Sequence, residues 1–266
     1  MDGRVLPRRP PARLLRARRR PGPGRGPGAV RDHGPHHLTA FDRDLLAGET
    51  LVAARALLGA LLVREPGPAE RAERRVGRIV EVEAYIGEDD QASHARFGPT
   101  ARNAVMFGPP GIAYVYLVYG MYDCLNVVTE PQGRPAAVLV RAVEPLEGVD
   151  AMRWARLETA ARRRSVRQDP GVEGSRLRRL PADRLASGPG LVGAAFSVDR
   201  TDTGSDLCDP AASLRLEAQS VPPAAIVTGP RVGIAYAGPP WTAKPWRLAL
   251  AGHPSVSAPP IQGRAS

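Results

Sequence analysis

The stretch IAYVYLVYGMYDCLN, residues 112–126, contains four of the six tyrosines in this chain of 266 residues. Together with the residues that follow it, up to position 129, it predicts a β-hairpin of two antiparallel strands. Gly120 stands at the first central position of the turn, which is typical of a type II′ geometry. This turn would make Tyr119 and Tyr122 a directly opposed pair at the tip of a protruding hairpin.

The tyrosines of this hairpin allow two interpretations. Side chains alternate along a strand, so Tyr114 and Tyr116 share one face. Rings at a hairpin tip project away from the sheet, where they can stack on bases, worth roughly 1–3 kcal/mol each, or wedge between base steps. The alternative is a cross-strand aromatic cluster that only stabilises the hairpin. Periodicity leaves both interpretations open.

The segments around the hairpin predict the fold class. Strand patterns occur at residues 61–63, 75–87, 136–145 and 226–236. Helix patterns occur at residues 51–59, with Thr50 as the cap, at 149–164 and from 187 to 196, whereas 163–181 is expected to be a loop. Runs of strands with few intervening helices indicate an α+β fold. We therefore expect a single domain with a mainly antiparallel curved β-sheet core, surrounding helices and a protruding β-hairpin.

The net charge of +10 is concentrated at the N-terminus. Residues 1–37 contain ten arginines and two aspartates, a net charge of about +8, which leaves about +2 for the rest of the chain. We expect a disordered basic tail at 1–37, a folded domain at 38–258 and a disordered C-terminus at 259–266. Such a tail favours an anionic partner. The alternative is an extension without function, or a start codon placed too far upstream.

Several classes of protein are not expected. No apolar run is long enough to span a membrane, and no secretory signal follows the arginines of the tail. Cys124 and Cys208 lack the spacing of a metal site or a disulfide framework, which favours a reducing, cytoplasmic setting. Neither a G-x-G-x-x-G motif nor a P-loop occurs. We expect no cofactor and no metal.

The segment EVEAY, residues 81–85, is the first candidate for chemistry. On a strand, Glu81, Glu83 and Tyr85 share one face, and the two carboxyl groups lie only ~7 Å apart. Their repulsion would raise at least one pKa unless a positive group intervenes, which suits acid–base catalysis. The alternative is the solvated face of an edge strand. The spacing does not indicate which glutamate would act.

Three further polar residues are candidates. His94 lies in the polar segment 87–103, and taken alone it is expected to be a surface or turn histidine. Arg141 lies within an apolar strand, where an arginine is seldom buried without an acidic partner, here Glu83 or Glu144. Asn126 stands among apolar residues and either lines a pocket or satisfies backbone groups.

Together these segments resemble the alkylpurine (3-methyladenine) DNA glycosylases of the mammalian AAG type. The resemblance covers roughly residues 38–258. The matching blocks, in order, are RIVEVEAYIGEDDQASHA, TARNAVMF, YVYLVYGMYDCLN, AVLVRAVEPLEG, SGPGLVGAAF and RVGIAYAGPPWTAKPWR. This resemblance implies a monomeric enzyme that excises alkylated or deaminated purines from double-stranded DNA by hydrolysing the N-glycosidic bond.

The resemblance also implies a role for each candidate residue. Glu83, and not Glu81, would activate a water molecule, which Arg141 and the main-chain carbonyl of Val232 would help to position. The residues expected to sandwich the flipped base are Tyr85, His94 and Tyr116, with Asn126 lining the pocket. The residues expected to enter the DNA are Tyr119, with Met121 and Tyr122 beside it. Tyr114 is left to the core.

Two alternatives to this enzyme are kept. The first is a non-catalytic, lesion-recognising or architectural DNA-binding protein, and the second is an enzyme acting on RNA or free nucleosides. Within the glycosylase interpretation, cleavage of the DNA backbone requires an amine that forms a Schiff base. Lys244 is the only lysine in the chain, and it lies in a block that the family shares without such a role. We therefore expect base release without strand cleavage.

Overall fold

The computed structural model describes residues 39–67, 73–118, 120–162, 170–218, 225–259 and 261, without the side chains of 170–173. The basic tail at 1–37, Tyr119 and most of the expected C-terminal segment lie outside the described residues. Among the helices that are described, none has the length and apolar character needed to cross a membrane.

One antiparallel sheet organises the described part of the chain. Its strands are β1 (Thr39–Ala40), β2 (Leu61–Arg64), β3 (Arg75–Ile86), β4 (Ala113–Val118), β5 (Tyr122–Val128), β6 (Ala136–Glu147), β7 (Leu214–Ala218), β8 (Ile226–Gly229) and β9 (Arg247–Leu250). Their order is β1-β7-β2-β3-β6-β5-β4, and β9 pairs with both β3 and β8. The sheet is curved, and the predicted α+β class with a mainly antiparallel sheet is confirmed.

Strand β3 lies at the centre of this sheet. It pairs with β2 and then β9 along one edge and with β6 along the other. Its β-branched residues Val80 and Val82 are fully buried in the main apolar core. The alternation of side chains therefore turns Glu81 and Glu83 to the opposite face, which is also covered.

Helices and 3₁₀ turns cover the sheet. The helices are α1 (Asp44–Ala47), α2 (Thr50–Leu57), α3 (Val149–Arg162), α4 (Pro170–Arg179) and α5 (Pro189–Ala195). The main core lies between the sheet and α2 and α5. A smaller apolar cluster occupies the other face, beneath the 3₁₀ turns His94–Phe97 and Ala104–Phe107.

Three predictions about these elements are wrong. Thr50 does not cap α2; it is the first helical residue, and its hydroxyl donates to Glu130 Oε1 at 2.6 Å. The segment 163–181, predicted as a loop, contains α4, whose C-terminal carbonyls accept hydrogen bonds from Arg153 on α3. The predicted strand at 226–236 ends at 229, because the chain then turns and forms a 3₁₀ turn.

The predicted hairpin is confirmed, but its loop differs from the prediction. Val118 pairs with Tyr122, so the loop contains three residues, 119–121, instead of two. The Met121 amide donates to the Val118 carbonyl at 3.0 Å, and Gly120 adopts a positive φ of 68°. Tyr122 therefore faces Val118 across the hairpin and is not the directly opposed partner of Tyr119.

Candidate active site

Glu83 is completely buried, and its partners come from three distant or neighbouring parts of the chain, at Tyr85, Arg141 and Val232. Its Oε1 accepts the amide N–H of Val232 at 2.7 Å and lies 3.3 Å from Nη1 of Arg141. Its Oε2 accepts the hydroxyl of Tyr85 at 2.9 Å. The interpretation of EVEAY as a solvated edge is wrong, because β3 has neighbours on both sides.

This environment sets the charge states of Glu83 and Arg141. Burial raises the pKa of Glu83 above its usual value, while Arg141, the Val232 amide and the Tyr85 hydroxyl oppose that rise. Burial lowers the pKa of Arg141, but the charges of Glu83 and Glu81 outweigh it and leave that pKa raised. Arg141 is thus a fixed positive charge beside a carboxylate that is a stronger base than an exposed one.

The two glutamates of EVEAY have different surroundings. Glu81 Oε1 accepts hydrogen bonds from Nε of Arg141 at 2.9 Å and from Nε of Arg247 at 2.6 Å. Its Oε2 accepts the Ser257 amide at 2.7 Å, which ties the C-terminal segment to the sheet. Glu81 is therefore saturated by structural contacts, whereas Glu83 lies beside an aromatic pocket.

Arg141 joins the two glutamates. Of the partners considered for it, Glu83 is correct and Glu144 is not, since Glu144 pairs with Arg78 at 3.3 Å and with His253 at 3.4 Å. Glu81 was not anticipated as a second partner.

The pocket next to Glu83 brings together all four residues predicted to bind a base. Its lining consists of Tyr85, Ala92, His94, Met106, Tyr114, Tyr116, Asn126, Ala137 and Tyr236. The rings of His94 and Tyr116 touch edge to face, with centroids 4.5 Å apart and planes at 76°. A base stacked between two rings needs them roughly 7 Å apart, twice a carbon–carbon contact. His94 and Tyr116 are therefore too close for a base to lie between them, and they form one wall of a pocket that Tyr85 also lines.

His94 is a pocket residue at the start of a 3₁₀ turn, so of its interpretation as a surface or turn histidine only the turn is correct. Its Nδ1 lies 2.9 Å from the hydroxyl of Tyr114. Burial, reinforced by the charges of Arg102 and Arg96, lowers the pKa of His94 to about 4. The ring is consequently neutral at neutral pH. Tyr114 is buried in the smaller cluster, as expected, but it also orients His94, a role that sequence reasoning missed.

Asn126 fits both interpretations made for it. Its Nδ2 donates to the carbonyls of Tyr114 at 3.0 Å and Cys124 at 3.2 Å, so its two amide protons satisfy the hairpin backbone. The side chain also lines the pocket. What Asn126 has left for a ligand is its acceptor oxygen, Oδ1.

Val232 is adjacent to Glu83, but through its N–H instead of the expected carbonyl.

Arg231, the residue before Val232, was not predicted from the sequence as a site residue. It forms an ion pair with Asp90 in which both side chains are fully buried. The guanidinium carbon of Arg231 lies 4.7 Å from the centroid of the Tyr85 ring. An arginine within the apolar run of residues 226–236 was the available signal.

Two of the three residues predicted to enter DNA, Met121 and Tyr122, lie at the hairpin tip. Met121 and Tyr122 are exposed, as a contact with a partner requires. The Tyr122 ring lies over Gly190 at the start of α5, so closely that a Cβ at position 190 would be 2.5 Å from it. The third predicted residue, Tyr119, lies outside the described residues.

No cluster of three or more potential metal ligands occurs among the described residues. Both cysteines, Cys124 and Cys208, are buried, and neither forms a disulfide. Lys244 has its Nζ 4.3 Å from the ring centroids of both Trp241 and Trp246. The groups that the described residues bring to the pocket and its surroundings are a buried carboxylate, a fixed guanidinium and aromatic walls.

Comparisons with known proteins agree with this chemistry. The family model "Methylpurine-DNA glycosylase (MPG)" matches residues 44–254. A protein of Anaeromyxobacter dehalogenans (strain 2CP-1) is 46% identical over 215 residues, 80% of this chain and 83% of the relative. One of Myxococcus xanthus is 45% identical over 218 residues, 82% of this chain and 93% of the relative. One of Methanocella arvoryzae is 46% identical over 221 residues, 83% of this chain and 96% of the relative.

All three relatives carry the name "Putative 3-methyladenine DNA glycosylase". The family match spans most of the chain and includes every element that lines the pocket. This chain belongs to the methylpurine-DNA glycosylase family, whose members are DNA glycosylases that hydrolyse N-glycosyl bonds of alkylated bases.

Proposed function

We propose that this chain is a monofunctional DNA glycosylase of base excision repair. It flips alkylated or deaminated purines, of the 3-methyladenine, 7-methylguanine and hypoxanthine type, out of duplex DNA and hydrolyses the N-glycosidic bond, leaving an abasic site. The observation that carries the proposal is the position of Glu83, a buried carboxylate beside Arg141 and against a pocket walled by aromatic rings.

The arrangement of the rings supports the proposed base binding. A purine in a duplex must leave the stack before its glycosidic bond is accessible, at a cost of a few kcal/mol that damaged pairs reduce. The exposed tip with Met121 and Tyr122, together with Tyr119, would offset that cost by filling the gap. The extrahelical base would lie between Tyr85 and the wall of His94 and Tyr116, where a cationic ring gains cation–π attraction.

Bond hydrolysis requires one activated water molecule. Glu83 would accept its proton and stabilise the oxocarbenium-like sugar, while Arg141 would keep Glu83 ionised and help to position the water. A cationic alkylated purine is already a good leaving group, so one carboxylate is enough, unlike the pair used by most glycosidases. A neutral lesion such as hypoxanthine would need to be protonated as it leaves.

The test is the release of free base from alkylated duplex DNA by the wild type and Glu83→Gln. We expect Glu83→Gln to bind the DNA but to release no base. Glu144→Gln is the matched control, since this half-buried glutamate of the same sheet contacts Arg78 and His253 outside the pocket. Equal release by wild type and Glu83→Gln would exclude Glu83 as the base. If neither released base but both bound lesion DNA, the chain would be a lesion-binding protein.

Strand cleavage is not part of the proposed reaction. A glycosylase that also nicks the backbone needs an amine for a Schiff base, and Lys244, the only lysine, contacts two tryptophan rings. Borohydride should therefore trap no covalent adduct between the protein and lesion DNA. A trapped adduct would refute the monofunctional assignment.

We also propose separate roles for the folded domain and the N-terminal tail. Residues 38–258 would act as a monomeric catalytic domain in the cytoplasm, on the nucleoid. Residues 1–37, with their ten arginines, would add a sequence-independent electrostatic contact with the DNA backbone. The segment at 259–266 is given no role.

A further inference from the structure

The wall of the pocket formed by Tyr85 has a buried cation behind it. Arg231 has its guanidinium carbon 4.7 Å from the ring centroid of Tyr85 and 4.9 Å from that of Trp246, so it lies between two aromatic rings. Nζ of Lys244 lies 4.3 Å from the centroid of Trp246. Cations and aromatic rings thus alternate from Lys244 to the pocket wall, and one face of Tyr85 is fixed by Arg231.

Asp90 fixes Arg231 in turn. Nη1 of Arg231 lies 2.5 Å from Oδ2 of Asp90, and Nη2 lies 2.8 Å from Oδ1, a bidentate pair. The same carboxylate accepts the amides of Ile86 at 3.2 Å and Ala92 at 3.0 Å. These two amides lie on either side of the loop that follows β3 and leads to His94. The ion pair therefore joins the Tyr85 wall to the segment that carries the opposite wall.

Arg231 is also connected, through Val232, to the carboxylate of Glu83. Nη1 of Arg231 also donates to the carbonyl of Ala84 at 2.9 Å, which holds the Arg231 side chain against β3. The next residue, Val232, then donates its amide to Glu83 Oε1 at 2.7 Å. A displacement of Arg231 would move this N–H away from Glu83, because the two residues share a peptide bond.

We propose that Arg231, held by Asp90, is the positioning residue of this site: one buried guanidinium sets the Tyr85 wall, the loop to His94 and the amide that Val232 donates to Glu83. Stability alone does not explain such a pair, because a buried ion pair is often no more stabilising than apolar residues of the same volume. Nε of Arg231 is, moreover, buried without a hydrogen-bond partner in the described part of the chain. The inference rests on the proposed function, in which Glu83 is the base.

The position of Arg231 should affect the pKa of Glu83 and so the pH dependence of base release. The titratable groups around Glu83 are Glu81 and Tyr85 on β3, Tyr116 on β4, Arg141 on β6 and Arg247 on β9. The Tyr85 hydroxyl and the Val232 N–H both lower the pKa of Glu83. Weakening Arg231 would loosen the ring of Tyr85 and displace the Val232 N–H. The loss of that donor would raise the pKa of Glu83, so the enzyme would lose its ionised base at a higher pH.

The experiment compares kcat/KM for base release against pH in the wild type and Arg231→Lys. Lysine keeps the charge but neither the planar stacking nor the bidentate pair. In the profile of kcat/KM against pH, we expect the acid limb of Arg231→Lys to lie about one pH unit higher than that of the wild type. At pH values below this limb kcat/KM would fall about tenfold, and above it the loss would be smaller. Asp90→Asn, which loosens the same pair while keeping Arg231, should move the limb in the same direction.

The matched control is Arg64→Lys. Arg64 pairs with Asp202 at 2.7 Å and donates to the carbonyl of Phe196 at 3.0 Å, so it is another largely buried Arg–Asp pair, away from Glu83. Arg64→Lys should lower Tm and leave the acid limb unchanged. If Arg231→Lys and Asp90→Asn lose activity by the same factor at every pH, the pair is merely structural and the inference is overturned.

Failure of the proposed function is distinguishable from failure of the inference. In the first case the wild type releases no base at any pH. The titration of the Glu83 carboxyl carbon, followed by ¹³C NMR, then tests the positioning without catalysis. A higher midpoint in Arg231→Lys than in the wild type supports the inference, and equal midpoints overturn it.

Discussion

The hydroxyl of Tyr114 lies 2.9 Å from Nδ1 of His94 and connects the apolar core to the pocket wall. Tyr114 is buried in the smaller cluster, and its ring is nearly perpendicular to that of His94, with centroids 6.0 Å apart. His94 in turn touches Tyr116. The orientation of the wall against which a base would lie is therefore set by a tyrosine that is itself part of the core.

Tyr114→Phe should damage this wall without removing a ring. The change leaves Nδ1 of His94 without its partner, and an unsatisfied buried group costs about 1–3 kcal/mol. We expect a lower free energy of unfolding in urea and slower single-turnover base release. Tyr236→Phe is the control, because its hydroxyl donates to the Ala92 carbonyl instead of to His94. Equal losses in the two variants would contradict the role given to Tyr114.

The lowered pKa of His94 predicts how stability depends on pH. The pKa of His94 is about 4 in the folded state, against 6.5 for an unperturbed histidine. Between these values the unfolded chain binds a proton that the folded chain does not, so the contribution of His94 is complete above pH 6.5 and is lost as the pH falls to 4.

The measurement is urea unfolding of the wild type and His94→Gln at several pH values. The difference in unfolding free energy between the two should change between pH 4 and 6.5 and level off outside that window. His253→Gln, which removes a histidine paired with Glu144, serves as the control. A wild-type-minus-His94→Gln difference that is independent of pH would show that His94 titrates normally.

The acid limb of catalysis should report the ion pair of Glu83 with Arg141. Glu83 acts as a base only when ionised, and burial raises its pKa above the usual 4.5. As the pH is lowered, kcat/KM should therefore begin to fall at a pH above 4.5. Arg141→Gln removes the charge that opposes this rise and should move the limb further to higher pH. Arg141→Lys, which keeps the charge, should move it less. A limb at the same pH in Arg141→Gln would refute this coupling.

Gly190→Ala tests the hairpin tip without altering a tyrosine. A Cβ at position 190 would lie 2.5 Å from the Tyr122 ring, so this ring has to move. We expect binding to lesion DNA to weaken by roughly tenfold, about 1.4 kcal/mol, in a fluorescence anisotropy titration. Gly48→Ala is the control, because a Cβ there meets no atom within 4 Å. Unchanged affinity in Gly190→Ala would show that the position of Tyr122 is irrelevant to binding.

Deletion of residues 1–37 tests the role of the basic tail. The slope of log Kd against log salt concentration should flatten by roughly 0.9 for each arginine that contacts a phosphate. The affinity for DNA should fall, most strongly at low salt. Base release at saturating DNA should persist, since the pocket lies within the remaining residues. An unchanged salt dependence would show that the tail does not contact DNA.

The strands were predictable because their signal is local. The alternation in residues 75–87 and the apolar run of 136–145 correspond to β3 and β6, and the paired strands of the hairpin lie where expected. The failures depend on distant partners. Helix α4 has a polar sequence with two glycines, and its end is held by Arg153 of another helix. The hydroxyl of Thr50 is bound by Glu130, eighty residues away.

The sequence by itself determined the antiparallel sheet, the shared face of Glu81 and Glu83 and the family resemblance, because side-chain alternation and motif order are properties of the chain. Only the tertiary structure separated the two glutamates: Arg247 and Ser257, which are close to Glu81 only after folding, saturate it, while Glu83 accepts the hydroxyl of Tyr85, a residue that lines the pocket. The charge state and role of a buried carboxyl group depend on the groups within a few ångströms, and these come from distant parts of the chain.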